Sequence, residues 1–140
     1  MKKLVLGCMV MFSALVFGQK EPLRQIYDYS GKNDMALVKA KTDLYWLNVL
    51  DSKKFRIHQN SAGADHLDFN LIMPFAKGEV SSRVRYDFLK QGYVVSLSNT
   101  KLIDLQKKVI VIDGSSAAHQ KIIANLSNLV FDIYQKHINQ

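Results

Sequence analysis

The histidines come first, because imidazole both binds metals and moves protons near neutral pH. There are four: His58, His66, His119 and His137. A turn centred on Ala62 sets His58 directly opposite His66, and opposed side chains on paired strands have Cβ atoms ~5 Å apart. Asp68 has the strand parity of His66 and offers an oxygen ligand. His58, His66 and Asp68 are therefore metal candidates, but weak ones. Catalytic zinc takes three well-placed protein ligands, and a slip of one residue in the register dissolves the pairing. The expectation is no metal and no cofactor. His119 and His137 fall near the two ends of the last helical stretch, and His137 suits the negative end of a helix dipole.

Nucleophilic chemistry lacks its signatures. No Gly-x-Ser-x-Gly elbow occurs, and the one cysteine, Cys8, lies in a leader. The seven glycines form neither Gly-x-Gly-x-x-Gly nor a P-loop. Asp65 with Asp68, or Asp104 with Asp113, have no spacing that calls for acid–base work. The expectation is a protein that is not an enzyme. Arg56, Arg83 and Arg85 share the polar face of neighbouring strands, with Lys53, Lys54 and Lys90 near the strand ends. Such a surface suits phosphate or sulphated glycans. Asp65, Asp68 and Asp87 lie on or beside it, so the same charges also build a cross-strand ion-pair lattice.

The elements that must position these groups follow a leader. Met1-Lys2-Lys3 is a basic start, Leu4 to Phe17 is almost unbroken apolar sequence, and Val16-Phe17-Gly18 precedes a cleavage point before Gln19. Residues 1–18 have the form of a secretory signal peptide. Cleavage at Cys8 instead would leave too short a leader. The run is also shorter than the ~20 residues of a membrane span, and no second one follows, so no transmembrane segment is expected in the mature chain. The chain is expected to be exported, to the periplasm or beyond. Without a mature cysteine it must be held by its core alone. The net charge of +7 stays positive after Lys2 and Lys3 are lost. It points to an anionic surface or an envelope protein as partner, and export argues against nucleic acid.

Residues 19–33, with Pro22, Gly31 and Asn33, read as a linker, and 34–140 as a single domain. Met35 to Ala40 reads as a first strand. Thr42 then caps a short helix to about Ser52, with Leu44, Trp46, Leu47 and Leu50 at helical spacing. Four period-two strands follow. Lys53–Gln59 leads to a turn over Asn60–Ala64, and His66–Phe75 leads through Lys77-Gly78-Glu79 to the hairpin Val80–Ser98. In that hairpin Val84, Tyr86 and Phe88, then Tyr93, Val95 and Leu97, form one apolar face. Residues 107–112 add a further strand. Ser115 or Ser116 caps a long helix to Ile138, whose stripe is Ile122, Leu126, Leu129, Val130 and Ile133. The fold class is α+β: a four- to five-stranded antiparallel meander with a long C-terminal helix on one face.

The short-helix segment Lys41-Thr42-Asp43-Leu44-Tyr45-Trp46-Leu47 and the hairpin opening Arg83-Val84-Arg85-Tyr86, behind a Gly-Gln leader junction, carry a resemblance. The chain resembles a family of uncharacterised exported bacterial proteins, typical of Bacteroidota. That family is described as a domain of unknown function with a TATA-box-binding-protein-like (TBP-like) fold. The resemblance covers about residues 34–138. It implies a curved sheet backed by helices, and no known activity. Such a fold does not itself imply DNA binding, since function lives in sites. The expected function is a non-enzymatic binding or interaction module of the cell envelope. The alternative is a helix-grip-like carrier of an apolar small molecule between sheet and C-terminal helix. It would be lined by Phe69, Leu71, Tyr86, Phe88, Tyr93, Leu126 and Ile133.

Overall fold

A computed structural model describes residues 23–52, 54–75 and 78–140, so the leader lies outside the described residues. The strands are β1 (Leu23–Asp28), β2 (Arg56–Ala62), β3 (His66–Phe75), β4 (Gly78–Phe88), β5 (Gly92–Ile103) and β6 (Val109–Val111). They form one antiparallel sheet in the order β1-β5-β4-β3-β2, and β6 also pairs with β5. A helix α1 (Met35–Asp51) follows β1. A C-terminal helix runs as α2 (Ala117–Ser127), a π-helical segment (Asn128–Ile133) and α3 (Tyr134–Ile138).

Two readings are corrected at the start of the chain. Leu23–Asp28, taken as linker, is a strand whose residues alternate buried and exposed and pair with β5 from Leu23 opposite Leu97 to Asp28 opposite Gly92. A side chain at position 92 would put a Cβ 2.3 Å from the Tyr27 carbonyl, so only glycine lets β1 approach. Met35–Ala40, taken as a strand, is the first half of α1. Asp34 caps the helix by accepting the Leu37 amide at 2.8 Å, and Met-Ala-Leu-Val-Lys-Ala is mostly strong helix formers. Thr42 is no cap. Its hydroxyl lies mid-helix, donates back to the Val38 carbonyl at 2.7 Å and meets the Tyr134 hydroxyl at 2.7 Å.

The period-two faces are as the sequence indicates. Leu67, Phe69, Leu71 and Met73 on β3, Val84, Tyr86 and Phe88 on β4, and Tyr93, Val95 and Leu97 on β5 are buried together. Trp46, Tyr45 and Val38 of α1, with Ile122, Leu126, Val130, Phe131 and Tyr134 of the C-terminal helix, join them in one core. Each large apolar side chain buried this way contributes about 1.5–3 kcal/mol. Trp46 donates its indole N–H to the Tyr86 hydroxyl at 2.9 Å, which ties the helix layer to the middle of the sheet.

β5 serves two partners in succession. Its first half pairs with β1 and its last three residues pair with β6. Between them the register against β4 slips from Ser81–Lys101 to Arg83–Ser98, and Asn99 adopts a left-handed φ of 54°. Asparagine is among the few side chains that tolerate that conformation. Ser82 fills the bulge, donating to the Ser98 carbonyl at 3.1 Å and meeting the Thr100 hydroxyl at 2.8 Å.

Candidate functional site on the open sheet face

The helices cover one face of the sheet, and the other carries its polar groups in rows set by the register. One row runs Ser61, Asp68, Arg85, Ser96, Arg24. Its neighbours are His58, Asn70, Arg83, Ser98 and His66, Asp87, Val94, Ile26. Asp68 is the hub, with only 2% of its side chain exposed. Arg83 donates to it at 3.0 and 2.5 Å, Arg85 at 2.9 Å and Asn60 at 3.2 Å. The Arg83 hydrogen bond above all, then Asn60 and Arg85, hold the Asp68 carboxyl down at about 2 although its burial pushes the other way. Arg85 turns its remaining N–H groups to Asp87 at 3.0–3.1 Å.

Beyond this lattice lies an open trough of about 690 Å3. Arg24, Arg83, Ser96 and Ser98 supply its donors, the paired Arg85 and Asp87 stand at its inner wall, and Ile26, Leu89 and Val94 line its apolar side. Arg24 is exposed at the end of its row and makes no ion pair with the described residues. Ile26 beside it is 50% exposed, unusual for an isoleucine on a paired strand. A guanidinium not tied to a carboxylate, flanked by serine hydroxyls and by guanidinium N–H groups, can take up an anion.

The hairpin between β2 and β3 holds a second constellation. Asp65 Oδ1 lies 2.9 Å from His66 Nδ1, and His66 Nε2 lies 3.1 Å from Ser61 Oγ. That is the hydrogen-bond order of a serine–histidine–aspartate relay, with Nδ1–H donating to Asp65 and the hydroxyl donating to Nε2. Gly63 makes room for it, since a Cβ there would stand 3.0 Å from the imidazole Cε1. The His66 hydrogen bond, first among its causes, lowers the Asp65 carboxyl below its usual range. Asp65 is, however, 72% exposed, so water competes for it. A working relay also needs donors fixed around an oxyanion, and the nearest guanidinium on this face is engaged by Asp68 and Asp87. The three side chains lock the turn. No sequence frame marks them; the signal was the crowding of Ser61, Gly63, Asp65 and His66 into one tight hairpin.

The metal candidates do not converge. The turn sits at Gly63–Asp65 instead of Ala62, and a bulge between Gln59 and Ser61 shifts the register, so His58 faces Asn70 and His66 faces Asp87. Asp68 is occupied by its arginines. Among the described residues no group of three or more His, Cys, Asp or Glu is placed to hold a metal. Of the other ionisable groups, Arg56 pairs with Glu79, His119 Nδ1 meets Asp113 at 3.1 Å, and the His137 ring lies 5.4 Å from that of Tyr45.

Six of the seven residues expected to line a carrier pocket are buried: Phe69, Leu71, Tyr86, Phe88, Tyr93 and Leu126. They pack as core. Ring centroids of Trp46, Phe69, Tyr86, Phe88, Tyr93 and Tyr134 stand 4.9–6.5 Å apart through the space between sheet and helix. Ile133 is corrected: it is 43% exposed. The π-helical segment takes more residues per turn than an α-helix, so the buried stripe runs on through Phe131 and Tyr134 and leaves Ile133 outside.

A six-stranded antiparallel sheet with helices on one face and an open, charged face on the other defines an α+β protein of TBP-like fold. The crystal structure of a TBP-like protein from Parabacteroides distasonis matches it with a TM-score of 0.51 at 12% identity, over 84% of this chain and 95% of that one. No family model matches the sequence, and no curated protein matches it. No helix among the described residues is long and apolar enough to cross a membrane.

Proposed function

We propose that this chain is an exported, non-enzymatic binding module of the cell envelope that holds an anionic polysaccharide on its open sheet face. The observation that carries this reading is the row Asp68–Arg85–Ser96–Arg24. Asp68 holds the inner arginines charged and rigid, and Arg24, two strands away at roughly 10 Å, makes no ion pair with the described residues. The positive net charge of the chain adds long-range attraction. Binding at such a face falls as salt rises, because each anion engaged releases a counterion.

The test is retention on an immobilised sulphated polysaccharide, followed by titration calorimetry. Wild-type protein should bind, with log affinity falling linearly with log salt. Arg24→Glu should weaken binding at least tenfold while leaving the melting temperature unchanged. Equal retention of both proteins, or none, would sink the reading. Binding to vesicles of anionic lipid but not to the polysaccharide would move the partner to the membrane surface. The intact mass of protein recovered from the envelope tests export: it should correspond to a chain starting at Gln19, and diacylglycerol on Cys8 would contradict it.

A further inference from the structure

The sheet ends at β2, and beside that edge helix α1 overhangs an unfilled slot. The slot, about 270 Å3, is lined by Trp46, Leu47 and Leu50 of α1 and by Ile57, Leu67 and Phe69 of the sheet. Leu47 remains 62% exposed at the lip. Ile57 and Gln59 lie opposite Leu71 and Phe69, so they are on the helix-covered side of the sheet. A further strand laid along β2 would set its own inward side chains in line with them, beneath Leu47 and Leu50. The slot thus lies between α1 and the β2 edge.

We infer that the β2 edge accepts an extended peptide segment of a partner protein as an added strand, with one large apolar side chain in the slot and acidic side chains flanking it. This goes beyond the open-face reading and stands on a different surface. The backbone of β2 on the side away from β3 faces no strand among the described residues, and edge N–H and C=O groups are a template for such pairing. Charge selects the partner. The edge runs Lys54-Phe55-Arg56-Ile57-His58, with Arg56 paired to Glu79 and Lys54 exposed, and β2 itself, Arg56-Ile57-His58-Gln59-Asn60-Ser61-Ala62, contains no acid. The one carboxylate at the slot, Asp43, is already held by Lys39 at 2.9–3.0 Å. A second copy of β2 would bring like charges together, whereas a strand alternating apolar with acidic residues is complementary along its length.

Trp46 is the only tryptophan, so its emission reports directly on the slot. The probe is an acetylated, amidated octapeptide in which Phe, Leu and Val alternate with Asp and Glu, added to the mature chain. It should shift Trp46 emission in a saturable way and slow amide-hydrogen exchange across 57–61. Leu47→Lys, at an exposed position, should weaken binding at least tenfold without lowering the melting temperature, and Lys54→Glu, also exposed, should weaken it in the same direction. A peptide with lysine replacing the acids, and one with a central proline, should bind at least tenfold more weakly. The inference is overturned if the acidic peptide changes neither emission nor exchange, or if the proline peptide binds equally well. It is also overturned if protection of 57–61 arises without peptide and grows with protein concentration, which would make a second copy the occupant.

Discussion

Asp68 is the residue on which the open face depends, and its protonation sets an acid limit. Its folded-state pKa of about 2 lies below that of an unfolded aspartate, ~3.9. The stability it contributes, about 2 kcal/mol, is therefore complete above pH ~4 and lost as the pH falls towards 2. Asp68→Asn should cost ~1–3 kcal/mol in urea unfolding at pH 7 and flatten that pH dependence between 4 and 2. A variant as acid-sensitive as the wild type would show that another carboxylate governs the transition. At the hairpin, Ser61 should react with a fluorophosphonate no faster than an ordinary surface serine, and His66→Asn should not change that rate. Stoichiometric labelling of Ser61 lost in His66→Asn would make the relay catalytic and the protein an enzyme. Alternation alone sets Arg83, Arg85, Asp68 and Asp87 on one face as an ion-pair lattice, but neither the hub role of Asp68 nor the contacts of the hairpin cluster are contained in it. Asp68 has the alternation of a solvent-facing residue, and only strand pairing brings Arg83 and Arg85 over it.

At the scale of elements, the C-terminal helix owes its fit to its π-helical segment. Without it, Tyr134 would turn away from Thr42 and from the rings of Tyr86 and Tyr93, which lie 5.0 and 6.4 Å from its own. Deleting Asn128 should restore regular α-helical winding, rotate Tyr134 out of the core and lower the melting temperature by more than 10 °C. Tyr134→Phe, which removes only the Thr42 contact, should cost about 1 kcal/mol. Calorimetry that ranked the two equally would refute this account. The strands of the meander were legible because period-two alternation survives any register. The register was not, because the turn position depends on Gly63 accommodating an imidazole, a contact between side chains that pattern alone does not contain. Met35–Ala40 is helical and not a strand for a local reason: Asp34 caps the helix eight residues before Thr42, the capping residue that pattern alone suggests. Leu23–Asp28 was missed because a six-residue edge strand beside Pro22 and Gly31 reads as a connector until its partner is known.

At the scale of the molecule, the order in which surfaces form is set by β1. Its pairing joins Leu23 to Leu97 and Asp28 to Gly92, among the most distant contacts in the sheet, whereas β2 to β5 pair through successive hairpins. Closing long loops is slow, and contacts of high sequence separation lag behind local ones. A chain that emerges from its N-terminus must therefore keep β1 waiting until β5 has followed. During that interval the face of β5 that β1 will cover presents an open edge. Pulse-labelled hydrogen exchange during refolding should find amides of 82–88 protected before those of 23–28. The waiting strand is also the one that bears Arg24, so a chain caught before β1 docks would have its hairpins in place and its proposed anion site incomplete.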